Sequence, residues 1–135
     1  YMYGAPAGRI SEGEQYVKLA RAAEAEMATQ GGWKYWNGSD WAADASAAVP
    51  LVYAGTLGEL SVIKNRTTGR YLMAYSSIKR DAIVIRDAAA PEGEWSGEKI
   101  VYVDADDEIL SAPSFLPISA EGNTVYFLMS SAWGK

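Results

Sequence analysis

The sequence repeats itself at Gly69-Arg-Tyr-Leu-Met-Ala-Tyr-Ser-Ser77 and Asn123-Thr-Val-Tyr-Phe-Leu-Met-Ser-Ser131, two apolar runs that each end in a pair of serines. The shift of 54 residues that relates them also places Ser61–Asn65 over Phe115–Ser119. Internal repeats at a fixed spacing are typical of folds built from one supersecondary unit. The repeat therefore predicts that the same group of strands occurs more than once.

Strand patterns surround the first copy of the repeat. The predicted strands are Glu59–Asn65, Arg70–Tyr75, Asp81–Arg86 and Trp95–Val103. Gly69 marks a tight turn between the first two, and short connections join the others, so an antiparallel meander is expected. A four-stranded meander that repeats is typical of a β-propeller blade.

The strands divide the chain into three parts. Residues 1–45 supply the second, third and fourth strands of one blade, 58–103 form a complete blade, and 110–135 supply the first two strands of the next. We therefore predict an all-β fragment, a little over two four-stranded antiparallel blades, of a larger ring. A two-sheet β-sandwich with chance similarity between its strands is the alternative.

Composition excludes several classes of function. The net charge of -5 disfavours binding to nucleic acid phosphates and to anionic lipid. The absence of Cys and His removes thiol catalysis, Ser-His-Asp triads and the commonest zinc ligands. No apolar run approaches membrane-spanning length. We expect no metal, no cofactor and no membrane insertion.

An ordered set of motifs resembles a bacterial secreted family long labelled a domain of unknown function, whose members include endo-D-arabinanases. The motifs are Tyr1-Met-Tyr-Gly4 with Pro6 and Gly8-Arg9, Lys18-Leu-Ala-Arg21, Tyr35-Trp-Asn-Gly38, Gly58-Glu-Leu-Ser-Val62, Ala82-Ile-Val-Ile-Arg86, Pro91-Glu-Gly93 with Trp95-Ser96, and Leu128-Met-Ser130 with Trp133. The resemblance implies a five-bladed propeller, an extracellular or cell-surface location and a furanose-rich, arabinan-type polysaccharide as substrate. It also implies that essential aspartates precede this chain, so the fragment alone is expected to be inactive.

Glu59 is the candidate general acid, because it enters an innermost strand at the ring face that carries the longer loops. Glycoside hydrolysis requires two carboxyl groups, and partial desolvation suits the one that protonates the leaving oxygen. Ser61 points the same way two residues later and is a candidate substrate contact. The partner carboxylate is expected outside the chain. The alternative for Glu59 is a structural ion pair with a neighbouring Arg.

Arg9 and Trp133 are the other candidate substrate-binding residues, since both lie in loops of the same predicted face. Arg9 could grip sugar hydroxyls or instead pair with a neighbouring Glu, and Trp133 offers a flat face to a furanose ring. Arg21 and Arg86 occupy matching positions of two blades and are interpreted as inter-blade pairs. The basic pair Lys79-Arg80 is interpreted as a solvated turn.

Two rival functions remain at this stage. The chain could belong to a non-catalytic carbohydrate-binding propeller with Arg9 and Trp133 as contacts, or to a purely structural or interaction module. In each case open blade edges are expected to favour self-association, because unpaired strand edges invite pairing with another chain.

Overall fold

The protein is described from a computed structural model that covers residues 1–5, 15–55, 57–103 and 108–133. The described chain is all-β, as predicted, and its helical segments are single 3₁₀ turns of three or four residues. The strands are β1 (Met2–Gly4), β2 (Gln15–Arg21), β3 (Lys34–Trp36), β4 (Trp41–Ala42), β5 (Val52–Gly55), β6 (Leu57–Lys64), β7 (Tyr71–Ser77), β8 (Ala82–Ala88), β9 (Lys99–Val103), β10 (Glu108–Phe115) and β11 (Phe127–Trp133). No described helix is long and apolar enough to span a membrane.

The strands form three antiparallel sheets. Strands β6, β7, β8 and β9 follow one another as a four-stranded meander, and β10 pairs with β11. In the first sheet β1 pairs with one edge of β2, while the short strands β3 and β5 share its other edge. This arrangement is consistent with consecutive parts of a propeller.

A turn at the end of β6 shows why the local sequence folds as expected. Asn65 donates its main-chain N–H to the carbonyl of Arg70 at 2.8 Å, and its side chain accepts from the N–H of Thr68. Gly69 has φ of +70°, a left-handed conformation that glycine adopts without steric cost. The β6–β7 hairpin is thus specified by residues within a few positions of one another.

The core lies between the first sheet and the meander. Strands β2 and β5 contribute Val17 and Val52, and the meander contributes Met73, Tyr75 and Val84. These side chains are at most 4% exposed. Burial of such apolar surface contributes roughly 25 cal/mol per Å², so this contact fixes the two sheets against each other.

Residues separated by one repeat lie next to each other in space. The Ser61 hydroxyl accepts from the N–H of Phe115 at 3.2 Å, and the Asn65 amide donates to the carbonyl of Ser119 at 2.9 Å. Arg66 likewise donates its main-chain N–H to the carbonyl of Ala120. Equivalent segments of two successive repeats therefore line up side by side.

Several boundaries differ from the sequence expectation, among them the start of the fourth strand of the meander, predicted at Trp95 and observed at Lys99. Residues 115–119, which the 54-residue shift places over part of the predicted strand Glu59–Asn65, divide into the end of β10 and a 3₁₀ turn over Pro117–Ala120. Proline favours the first turn of a helix and cannot donate to a ladder, which explains the break. Residues 46–57, which lie between the predicted segments 1–45 and 58–103, contain β5, because a short strand can pair with the distant β2 without a local signal.

Candidate functional site

Glu59 lies in a bulge of β6. Leu57 is opposite Ser77 and Leu60 is opposite Tyr75, so Gly58 and Glu59 occupy the irregular step between two regular pairs. A bulge re-aims the side chains that it contains. Glu59 is consequently directed towards β10, where its Oε2 accepts a hydrogen bond from the N–H of Ala112 at 3.2 Å.

Glu59 and Ser61 are brought together on the same side of β6. Ser61 also faces β10, through its contact with Phe115. The side chain of Glu59 is exposed and that of Ser61 is half-buried. Partial burial of Glu59 was expected, and the described residues do not provide it.

Gly58 explains how β6 can approach β7 at this bulge. A Cβ atom at Gly58 would overlap the hydroxyl of Ser76 and would lie 3.2 Å from its Cβ and 3.3 Å from its carbonyl oxygen. Only glycine leaves the necessary space. Gly58 therefore sets the position from which Glu59 projects.

The partner of Glu59 lies in an equivalent bulge. The register of β10 shifts between Ser111 and Ser114, the positions that lie one repeat after Leu57 and Leu60. Ala112 within it has φ of +52°, a left-handed conformation that is costly for a residue with a Cβ atom. The Glu59 carboxylate thus stabilises the N–H of a strained residue, which is a structural role.

A cleft of about 730 Å³ opens between β5 and the meander. One lining residue, Ser77, pairs with Leu57 at the start of β6. The lining residues are Tyr53, Ala54, Gly55, Ser77, Lys79, Arg80, Arg86 and Glu98. The cleft thus lies between β5 of the first sheet and the meander, beside the β7–β8 turn.

Arg86, one of the residues that line the cleft, donates hydrogen bonds to several other residues. Its Nε donates to the Tyr75 hydroxyl at 2.9 Å, its Nη1 to the carbonyl of Ser96 at 3.0 Å, and its Nη2 to the carbonyl of Tyr53 at 3.1 Å. The last bond crosses from the meander to the first sheet. The interpretation of Arg86 as an inter-sheet residue agrees with this contact.

Glu98 completes the network. Its Oε1 accepts from the Tyr75 hydroxyl at 2.7 Å and its Oε2 accepts from Arg80 Nε at 2.8 Å. Arg86 Nη2 lies 3.4 Å from Glu98 Oε1. Tyr75 is fully buried, and the Arg86 and Glu98 side chains are 15% and 14% exposed.

The network changes the acidity of two of its members. Burial alone would raise the pKa of Glu98, but hydrogen bonds from Tyr75 and Arg80 and the charges of both arginines lower it below its usual value. Burial, reinforced by the hydrogen bond to Glu98, raises the pKa of Tyr75. At neutral pH Glu98 is therefore ionised and Tyr75 is protonated. The hydrogen bonds of the network hold these side chains in place, and Glu98 carries no proton that it could donate as a carboxylic acid.

Sequence reasoning missed this network. Arg80 was assigned to a solvated turn, and Glu98 carries no motif. The 3₁₀ turn Ile78–Arg80 returns the chain so that Arg80 reaches Glu98, 18 residues later in the sequence. This contact could have been predicted from the sequence only if the register of β8 against β9 had been known.

The structure describes only some of the other residues that the sequence analysis singled out. Arg9 lies outside the described residues. Trp133 pairs with Glu108 in the β10–β11 register, and its side chain is outside the description. Arg21 stacks on Trp41 within the first sheet, with 4.1 Å between the guanidinium carbon and the ring centroid. No group of acidic residues suited to a metal ion occurs in the part of the chain that the structure describes.

Comparison with known proteins assigns the family. Residues 1–135, the whole chain, match the family described as a domain of unknown function (DUF4185), and the chain belongs to it. The protein named Notoamide biosynthesis cluster protein J' of Aspergillus versicolor is 35% identical over 105 residues. That match covers 76% of this chain and 28% of the fungal protein, so the chain spans less than a third of this relative.

Proposed function

We propose that this member of the DUF4185 family forms part of a secreted propeller that acts on a furanose-rich, arabinan-type polysaccharide of the cell surface. The observation that carries the proposal is the placement of Glu59. Its carboxylate is exposed at the junction of β6 and β10, on the same side of β6 as Ser61. A polymer lying across this junction could contact the carboxyl group of Glu59 and the hydroxyl group of Ser61 together.

Glu59 is proposed as the general acid of a glycoside hydrolase. Its second oxygen accepts from a main-chain N–H, which holds the carboxyl group in one orientation. Both mechanisms of glycoside hydrolysis need a second carboxyl group. The proposal places that group outside these 135 residues, so the isolated chain is expected to bind glycan without cleaving it.

A non-catalytic carbohydrate-binding propeller is the second candidate. The contact between Glu59 and the strained Ala112 favours it, since that contact alone would account for a carboxylate at position 59. The fungal relative is named for a biosynthesis cluster, and its name mentions no glycan. The two candidates differ in whether Glu59 donates a proton to substrate.

Glu59→Gln in the full-length protein distinguishes them. Glutamine keeps an oxygen that accepts from Ala112 but cannot donate a proton as a carboxylic acid does. If Glu59 is the general acid, arabinan turnover should fall by about 10²–10⁴-fold while the melting temperature stays unchanged. Glu121→Gln, a change of equal charge at another exposed position, should leave turnover intact.

The measurement is the release of reducing ends from arabinan, with binding of the same polymer followed by calorimetry. Full turnover in a stable Glu59→Gln protein would exclude Glu59 as the acid. Binding without cleavage in the wild-type protein would favour the carbohydrate-binding module.

A further inference from the structure

The cleft beside the β7–β8 turn is cationic although the protein as a whole is acidic. The chain has 12 basic and 17 acidic residues. The cleft is lined by Lys79, Arg80 and Arg86 and by Glu98 as its only carboxylate among the described lining residues. Charge of one sign in a cleft raises the local concentration of ligands of the opposite sign. This local reversal suggests an anionic ligand.

The basic residues of the cleft differ in how many of their hydrogen-bond donors are used within the protein. Arg86 uses Nε and both Nη groups within the protein, and it lies close to Glu98. Arg80 also pairs with Glu98 through its Nε. Three basic residues therefore line the cleft with one carboxylate, which leaves an excess of two positive charges.

Lys79 and Arg80 are also the accessible cations. Arg80 gives only its Nε to Glu98 among the described residues, and its side chain is 53% exposed. Lys79 is exposed and forms no hydrogen bond or ion pair with the residues that the structure describes. Both therefore have N–H donors available to a ligand.

The local backbone fixes where these two side chains project. The 3₁₀ turn Ile78–Arg80 ends at Asp81, which has φ of +48° and donates its N–H to the carbonyl of Ile78. Aspartate tolerates the left-handed region better than most residues. Asp81 is exposed and is not among the residues that line the cleft, so its carboxylate is not part of the cleft wall.

We propose that Lys79 and Arg80 bind the anionic group of an acidic glycan unit, a carboxylate or a phosphate ester carried on a sugar. Arg80 supplies planar guanidinium donors suited to two oxygens, and Lys79 supplies a point charge. The main chain of Tyr53–Gly55 forms the opposite wall. That the anion is carried on a sugar rests on the proposed function, whereas the anion site itself does not.

The test compares an acid with its uncharged counterpart on the full-length protein. Trigalacturonate and its methyl ester share one sugar backbone, and the ester lacks the negative charges; glucose 6-phosphate and glucose form the second pair. Calorimetry at low ionic strength should show that one acid of these pairs binds at least about tenfold more tightly than its neutral counterpart. The pair that does so identifies the source as carboxylate or phosphate.

Lys79→Gln should weaken binding of that acid by about 3–10-fold and leave the neutral compound unaffected. Lys34→Gln removes the same charge from exposed β3 and should change neither. Equal binding of acid and neutral compound in both pairs would overturn the proposal, as would equal effects of the two lysine variants.

The same experiment separates this site from the proposed enzyme. Glu59→Gln should leave binding of the acid unchanged, whereas Lys79→Gln should leave cleavage of neutral arabinan unchanged. Loss of acid binding in Glu59→Gln would contradict the independence of the two sites.

Discussion

The side-chain amide of Asn65 donates to the carbonyls of both Ser119 and Gly122, at 2.9 and 3.0 Å, from a position that is 2% exposed. Its oxygen accepts from Thr68 in its own turn. One buried amide therefore joins the β6–β7 turn to the equivalent turn of the next repeat. The sequence Asn65-Arg66-Thr67 satisfies the glycosylation sequon, but this burial leaves no free amide for a sugar.

Asn65→Ala should lower the free energy of unfolding by about 2–3 kcal/mol, since it removes hydrogen bonds to Ser119, Gly122 and Thr68, of which the bond to the Ser119 carbonyl is buried. The measurement is the midpoint and slope of urea unfolding. Arg66→Gln is the control in the same turn. It removes an ion pair with Glu121 whose side chains are more than 70% exposed, and it should change stability by less than about 0.5 kcal/mol. Equal effects would show that the amide does not link the repeats.

Glu98→Gln should flatten the acid dependence of stability. The pKa of Glu98 is lower in the folded protein, so its ionised form contributes stability above the ordinary value of 4.5, and this contribution is lost as the pH falls through the folded value. Unfolding measured from pH 6 to pH 3 should show a shallower decline in the variant. Part of the decline in stability with falling pH should remain in the variant, because the pKa of Asp87 is also lowered in the folded protein. Glu94→Gln, at an exposed position, should follow the wild type.

Tyr75→Phe should alter how the stability of the protein depends on pH under alkaline conditions. The pKa of Tyr75 is raised on folding, so its protonated form contributes stability below the ordinary value of 10.0 that is lost as the pH rises above it. The variant should lose less stability between pH 10 and pH 11 than the wild type. At pH 7 it should be less stable by about 1–2 kcal/mol, because Glu98 and Arg86 each lose a partner. Tyr102→Phe on exposed β9 should show neither effect.

Gly58→Ala should destabilise the protein by about 1–3 kcal/mol through overpacking against Ser76. Ser76→Ala should cost little, since its buried hydroxyl has no partner among the described residues. The double variant should be more stable than the sum of the single effects predicts, which a double-mutant cycle measures. Gly97→Ala is the control, because nothing lies within 4 Å of the added methyl group. Additive effects would show that Ser76 does not limit position 58.

The meander could be predicted because its determinants are local. Strand alternation, the turn at Gly69 and the break after Ala88 each involve residues within a few positions, and the structure has strands at those places. The 54-residue shift also predicted equivalence of Ser61 with Phe115 without predicting that they touch. The family resemblance was confirmed by the match over the whole chain.

The cleft could not be predicted because it depends on contacts between elements. Tyr53, Arg80 and Glu98 become neighbours only after β5 pairs with β2 and β8 pairs with β9 in one register. A single sequence records no such pairing. The strained conformation of Ala112 could not be predicted either, since alanine is not typical of left-handed backbone positions.

The contacts between repeats have a kinetic consequence. The bond between Asn65 and Arg70 closes a loop of a few residues, whereas the pairs Ser61–Phe115 and Asn65–Ser119 each close one of 54 residues. Hairpins form in microseconds, and longer loops cost more entropy before their contacts contribute. The hairpins therefore form early, and docking of one preformed hairpin on its neighbour limits the folding rate. Because most contacts join residues far apart in the sequence, we expect this chain to fold slowly for its size.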